Sequence, residues 1–139
     1  MNVELIDRQE YELARLGLGD AFIRILGYFR EDGTKSVDAV EQAMRARNAA
    51  ALVIPAHTLK GEARQFGAQR LADMAEHIEM VARRCVEYHE DPEELIEFVA
   101  ELRDCFMATV TALEEDASPL VTRKAGGARR GSSINFGRG

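Results

Sequence analysis

One stretch of the chain holds residue types at spacings that could do chemistry: Ala56-His57-Thr58-Leu59-Lys60-Gly61-Glu62-Ala63-Arg64-Gln65-Phe66-Gly67-Ala68. Residues on a helix advance by about 100° each. On such a helix Leu52, Ala56, Leu59, Ala63 and Phe66 form one apolar stripe, which must face a core. His57, Lys60, Gly61 and Arg64 follow the steps i, i+3, i+4 and i+7. They fall roughly 140° from that stripe by the same rotation. His57 is therefore expected to face solvent, with two cations around it and bare backbone at Gly61.

An exposed imidazole is a nucleophile, and its ordinary pKa of about 6.5 leaves it largely neutral at cellular pH. Lys60 and Arg64 can screen the negative charge of an incoming phosphoryl group. A Gly inside a helix costs about 1 kcal/mol relative to Ala. Placed one turn after the His, the missing side chain would let another molecule's backbone approach. Each residue alone has a plainer reading: a surface His without a role, solvated cations, a Gly for close helix packing. Their common register, with Phe66-Gly67-Ala68 closing the segment, favours a phosphoryl acceptor on a convex helix surface.

The elements that must position this segment read as helices. Asp7 to Arg15 could make about two turns before Gly17 and Gly19 break it. Asp20 can cap a helix carrying Phe22, Ile25, Leu26 and Phe29, which Glu31-Asp32-Gly33 is expected to end. Thr34 or Ser36 would cap a further helix with Val37, Val40 and Met44 on one face. Asn48 is a cap or break before the helix that runs to Phe66, and Gly67 supplies its stop. The next helix, from about Ala68 to Tyr88, carries the stripe Leu71, Met74, Ala75, Ile78, Val81, Ala82 and Cys85. Glu90-Asp91-Pro92 is a turn, and the last helix runs to about Glu115 with Leu95, Phe98, Val99, Leu102, Cys105, Phe106 and Leu113. No segment alternates with period two. An all-α, antiparallel four-helix bundle with a short extra N-terminal helix is the expected fold.

His57-Thr58-Leu59-Lys60-Gly61, with Phe66-Gly67-Ala68 closing the helix and Leu71 and Glu79 downstream, resembles the histidine-containing phosphotransfer (Hpt) domain. The resemblance spans about residues 7–116. It implies a four-helix bundle that relays phosphoryl groups between receiver domains, or from a histidine kinase to a receiver, in bacterial phosphorelays. It implies that His57 is phosphorylated, that Lys60 assists the phosphoryl group, and that Gly61 admits the partner's loop. It also implies a monomer with no cofactor of its own, Mg2+ being supplied at the partner receiver's acidic pocket. Separately, Cys85 and Cys105 show neither close metal spacing nor a secreted disulfide framework, which points to a reducing cytoplasm. A non-catalytic helical module that docks or sequesters a receiver is the competing reading. A dimeric histidine-kinase remnant is disfavoured by the absent nucleotide-binding half and by Lys60-Gly61 after the His.

Two features near His57 have open readings. Val53 and Ile54 form either an apolar rim for a docking receiver or a surface buried under the N-terminal helix. Pro55 removes a helix hydrogen bond to the residue-51 carbonyl, so it either kinks the chain or marks a later helix start. Other candidates carry less. His77 and His89 lie far from His57 in sequence, and no His-x3-His or Cys-x2-Cys pair occurs. Cys85 and Cys105 lie on apolar stripes and read as core. The acids Glu90, Asp91, Glu93, Glu94 and Glu97 surround a helix N-terminus, where their charge is favoured. There is no glycine-rich phosphate loop of the Walker or kinase type.

Composition sets the bounds. At 139 residues the chain suffices for one domain, and 46% hydrophobic against 30% charged residues is ordinary for a globular protein. No apolar run is long enough to cross a bilayer, and the N-terminus lacks a signal-peptide pattern. Residues 1–116 carry 13 bases against all 24 acids, a balance of −11 that argues against a nucleic-acid surface. Residues 117–139 hold five bases, no acid, five Gly and three Ser. That segment is expected to be a disordered basic tail, either a tolerated terminus or an arm for an acidic partner or membrane.

Overall fold

The computed structural model describes residues 4–117, and every regular element among them is helical. Helix α1 (Arg8–Leu18) starts where the Asp7 side chain accepts from the amides of Gln9 and Glu10. It continues through Gly17 and breaks at Gly19, whose φ of 54° lies in the region that favours glycine. A single 3-10 turn, Gly19–Ala21, leads straight into α2 (Phe22–Arg45), so Ala21 occupies the cap position and Asp20 makes no cap.

Helix α2 corrects the sequence reading, which ended one helix at Gly33 and began another at Thr34 or Ser36. It is continuous over 24 residues. Two contacts explain why. A Cβ on Gly33 would lie 2.4 Å from the Phe106 ring, so the glycine is there for close packing against the last helix rather than for a stop. The Thr34 hydroxyl donates to the Arg30 carbonyl at 2.7 Å, which satisfies it within the helix instead of at a cap.

Helix α3 (Ala49–Gln65) begins at Asn48, whose side-chain oxygen accepts from the Ala51 amide at 3.1 Å. It runs through Pro55 without a later start. Its stop is Gly67, at φ 72°. There the Asp7 amide donates to the Gly67 carbonyl at 2.8 Å, and a Cβ would stand 2.8 Å from the Tyr11 amide nitrogen. Only glycine lets α1 dock on this corner. Helix α4 (Gln69–Tyr88) ends with His89 in the left-handed conformation, and a 3-10 turn at Glu93–Leu95 opens α5 (Ile96–Ala117).

Short links make α2 to α5 reverse in turn. Helix α3 packs on α2 and α4, while α5 closes the ring against α2 and α4. The four long helices form a bundle and α1 covers one end of it. An aromatic spine crosses that end: Tyr11 meets Phe22, Phe22 meets Phe66, and Phe29 bridges Phe66 and Phe106, with centroids 5.2–5.7 Å apart. Edge-on and tilted rings of this kind add to area burial. Cys85 is core, as expected, but Cys105 is only half-buried. No helix among the described residues is long and apolar enough to cross a membrane. The basic tail expected over 117–139 lies, after Ala117, outside the described residues.

Candidate functional site

The apolar stripe of α3 is buried: Leu52, Leu59, Ala63 and Phe66 are each 0% exposed. That fixes the helix's rotation and turns His57 outward, with 60% of its side chain exposed. Gly61, one turn later, has nothing within 4 Å of where a Cβ would stand. Both placements agree with the sequence reading.

Behind His57 stands a residue that the sequence reading left out of the site. Glu79 of α4 keeps only 7% of its side chain exposed, and its oxygens gather four nitrogens from three residues. His57 Nδ1 lies 2.9 Å from Oε2. Lys60 Nζ lies 2.8 Å from Oε1. Arg83 reaches Oε2 with Nε at 3.0 Å and Nη2 at 2.9 Å. Burial alone would push the Glu79 carboxyl up. The hydrogen bonds from Lys60, Arg83 and His57 outweigh burial and hold its pKa at about 2.

That carboxylate assigns the imidazole tautomer. An ionised carboxylate only accepts hydrogen bonds, so His57 Nδ1 carries the proton and donates it to Glu79 Oε2. In the neutral ring the lone pair then lies on Nε2.

Lys60 departs from the expected solvent-facing cation. It sits between the stripe and His57 on the α3 circumference, and only 18% of its side chain is exposed because it turns in toward Glu79. Arg64 stays at the surface and pairs with Glu76 of α4 at 2.7 Å. Val53 is half-buried against the core, whereas Ile54 is 74% exposed. Helix α1 docks at Gly67, about 20 Å along α3 from Ile54 at 1.5 Å per residue. It therefore does not cover Ile54.

The other histidines stay apart from the site. His77 stacks on Phe98 with centroids 4.1 Å apart, and His89 caps α4. Among the described residues no group of three or more His, Cys, Asp or Glu side chains could hold a metal ion. The signal for Glu79 was present in the sequence. An acid that shares the buried face of Ala75, Ile78 and Ala82 needs a partner, and cations one helix away can supply it.

Comparison with known proteins bears on the family and the fold. The family model described as "Hpt domain" matches residues 24–120. No curated protein matches the chain in sequence. Among solved structures, the fold is similar to the crystal structure of histidine-containing phosphotransfer protein B (HptB) from Pseudomonas aeruginosa PAO1. The TM-score is 0.70 at 21% identity, over 83% of this chain and 96% of that one.

Proposed function

The chain belongs to the Hpt domain family of phosphorelay histidine phosphotransfer proteins, and from that premise we propose that His57 is its phosphoryl-bearing residue. The observation that carries this reading is the exposed His57 ring, held through Nδ1 by the buried Glu79 carboxylate.

The partner is a receiver domain bearing an aspartyl phosphate, or a histidine kinase bearing a phosphohistidine. The Nε2 lone pair of His57 attacks phosphorus. The N–P bond forms as the bond from phosphorus to the donor's oxygen or nitrogen breaks, and that electron pair leaves on the donor atom. No proton moves. Nδ1 keeps its hydrogen, and its bond to Glu79 strengthens as the ring gains positive charge. Attack by the next receiver's aspartate reverses these steps.

Lys60 offsets the phosphoryl charge from beside Glu79, and Arg64 does so from the rim. Gly61 leaves room for the partner's loop, and Ile54, with half-buried Val53 beside it, gives that partner an apolar contact one turn before His57. Mg2+ belongs to the receiver's acidic pocket, and this chain brings no cofactor. It works as a monomer in the cytoplasm, with neither nucleic acid nor membrane as a partner.

The test is to mix the protein with a receiver carrying labelled phosphate. We expect acid-labile, base-stable label on the wild type and none on His57→Gln. Label on His57→Gln would overturn the assignment.

A further inference from the structure

Arg83 touches neither the exposed nitrogen of His57 nor the face around Gly61. It is placed to act on both only through Glu79. Its Nε and Nη2 close on one oxygen, Oε2, which is the oxygen that accepts from His57 Nδ1. The other oxygen belongs to Lys60. We propose that Arg83 is a positioning residue for phosphoryl transfer: its fork fixes Glu79 Oε2 toward His57 and so fixes the ring's orientation and tautomer. The inference rests on His57 being the phosphoryl acceptor.

The terminal torsion of a glutamate is broad and roughly two-fold, so the carboxylate needs a grip on each oxygen to hold one orientation. Lys60 grips Oε1 from the partly buried side with a single point charge. Without Arg83, only the imidazole itself would restrain Oε2. The group being positioned would then be the one doing the positioning. A planar guanidinium, with donors in fixed directions, removes that circularity. Outer partners of this kind orient an imidazole ligand in metal sites by the same logic.

Stability alone does not account for the contact. Arg83 keeps 57% of its side chain exposed and sits at i+4 from Glu79. Exposed pairs on one helix add little to folding. What distinguishes this pair is its acceptor, which is buried and shared with the reactive histidine. Charge is consistent with the role. Lys60 and Arg83 together exceed the single charge of Glu79, so the pocket behind His57 stays positive when a phosphoryl group arrives.

The experiment compares wild type, Arg83→Gln and Arg83→Lys on the full chain, by nitrogen-15 NMR of His57 and by the rate of phosphoryl uptake from a labelled receiver. In the wild type Nδ1 should give a protonated-type resonance and Nε2 an unprotonated-type one. In Arg83→Gln the two should move toward each other as the tautomers mix, and uptake should fall about tenfold, the low end for loss of an outer orienting group. Arg83→Lys restores the charge without the fork, so it should recover only part of both. An Arg83→Gln protein with the wild-type nitrogen pattern and wild-type uptake would overturn the role. The His57→Gln result bears separately on the acceptor, because Arg83→Gln can fail while His57→Gln still abolishes label.

Discussion

Among the charge clusters that bridge helices in the described residues, two are built in opposite senses. Between α2 and α5, the Arg103 cation holds two acids: its Nε and Nη2 meet Glu41 at 3.0 and 2.8 Å, and Nη2 also bonds Asp38. Between α3 and α4, the Glu79 anion holds Lys60, Arg83 and His57. The central arginine of the first cluster is 38% exposed, while the central glutamate of the second is 7% exposed. The first has water to share its load, and none of its members is a nucleophile. The second buries its centre and leaves two ligands facing out, His57 and Arg83, of which only His57 is a nucleophile. The contrast teaches what turns an ion cluster into a site: a buried hub gripped at both oxygens, with a reactive group among its exposed spokes. Carboxylates push the Arg103 guanidinium further up, and cations push the Glu79 carboxyl down, so a perturbed pKa by itself does not tell the clusters apart.

Removing the buried hub should have the largest effect. Glu79→Gln offers one acceptor oxygen and a donating NH2 group where four nitrogens now converge, and it strands Lys60 in a partly buried position. Breaking such a buried ion pair costs about 3 kcal/mol. Loss of an orienting partner should also slow phosphoryl uptake by about 10- to 100-fold. Acid provides the check on cause. The folded-state value of Glu79, about 2, lies below its ordinary 4.5. The unfolded chain therefore takes up this proton first as pH falls. The stabilisation is complete above about pH 4.5 and is lost progressively toward pH 2. Urea titrations should show the gap between wild type and Glu79→Gln at pH 7 closing across that window. A gap that persists at pH 2 would mean that the loss is packing rather than charge.

The second expected effect separates fold from docking on the same face. Gly61 has open space around it. Gly61→Leu should stabilise the helix by about 0.5–1 kcal/mol, since Leu is a far better helix former. The same side chain would stand where a partner's backbone must approach. Phosphoryl uptake from a receiver should fall about tenfold or more, as misplacement of reacting groups by an ångström costs that much. Thermal melting and uptake rate, measured on one sample, would move in opposite directions. If uptake were unchanged, the partner would not approach over Gly61.

The two clusters also mark what could be read ahead of the structure. Helix α3 was legible because its signals are local: Asn48 at the start, Gly67 at the stop, and an apolar stripe whose burial dictates where His57 points. The continuity of α2 was hidden because Gly33 answers to Phe106, far along the chain, and a local reading sees only a helix breaker. Lys60 was visible as a cation, but its partner sits on the next helix, so its inward turn was not. Glu79 stands in the family pattern, and an acid on the Ala75–Ile78–Ala82 face announces a buried charge that needs partners. By spacing alone, Arg83 is a surface arginine four residues after an acid. Its meaning depends on which oxygen it shares, and spacing does not encode that.

The smallest expected effect completes the comparison. Arg103→Gln removes the cation from the α2–α5 cluster and leaves Asp38 and Glu41 beside each other. Asp38 is 60% exposed and Glu41 24%, so water can solvate both carboxylates. The loss should be about 0.5–1 kcal/mol, as for other exposed pairs, and smaller in high salt. Phosphoryl uptake should not change, because no member of that cluster touches α3 or α4 residues of the site. Denaturation at low and high ionic strength, alongside an uptake assay, checks both parts. A marked fall in uptake for Arg103→Gln would mean that the α2–α5 side of the bundle communicates with His57, and the division into one reactive cluster and one structural cluster would fail.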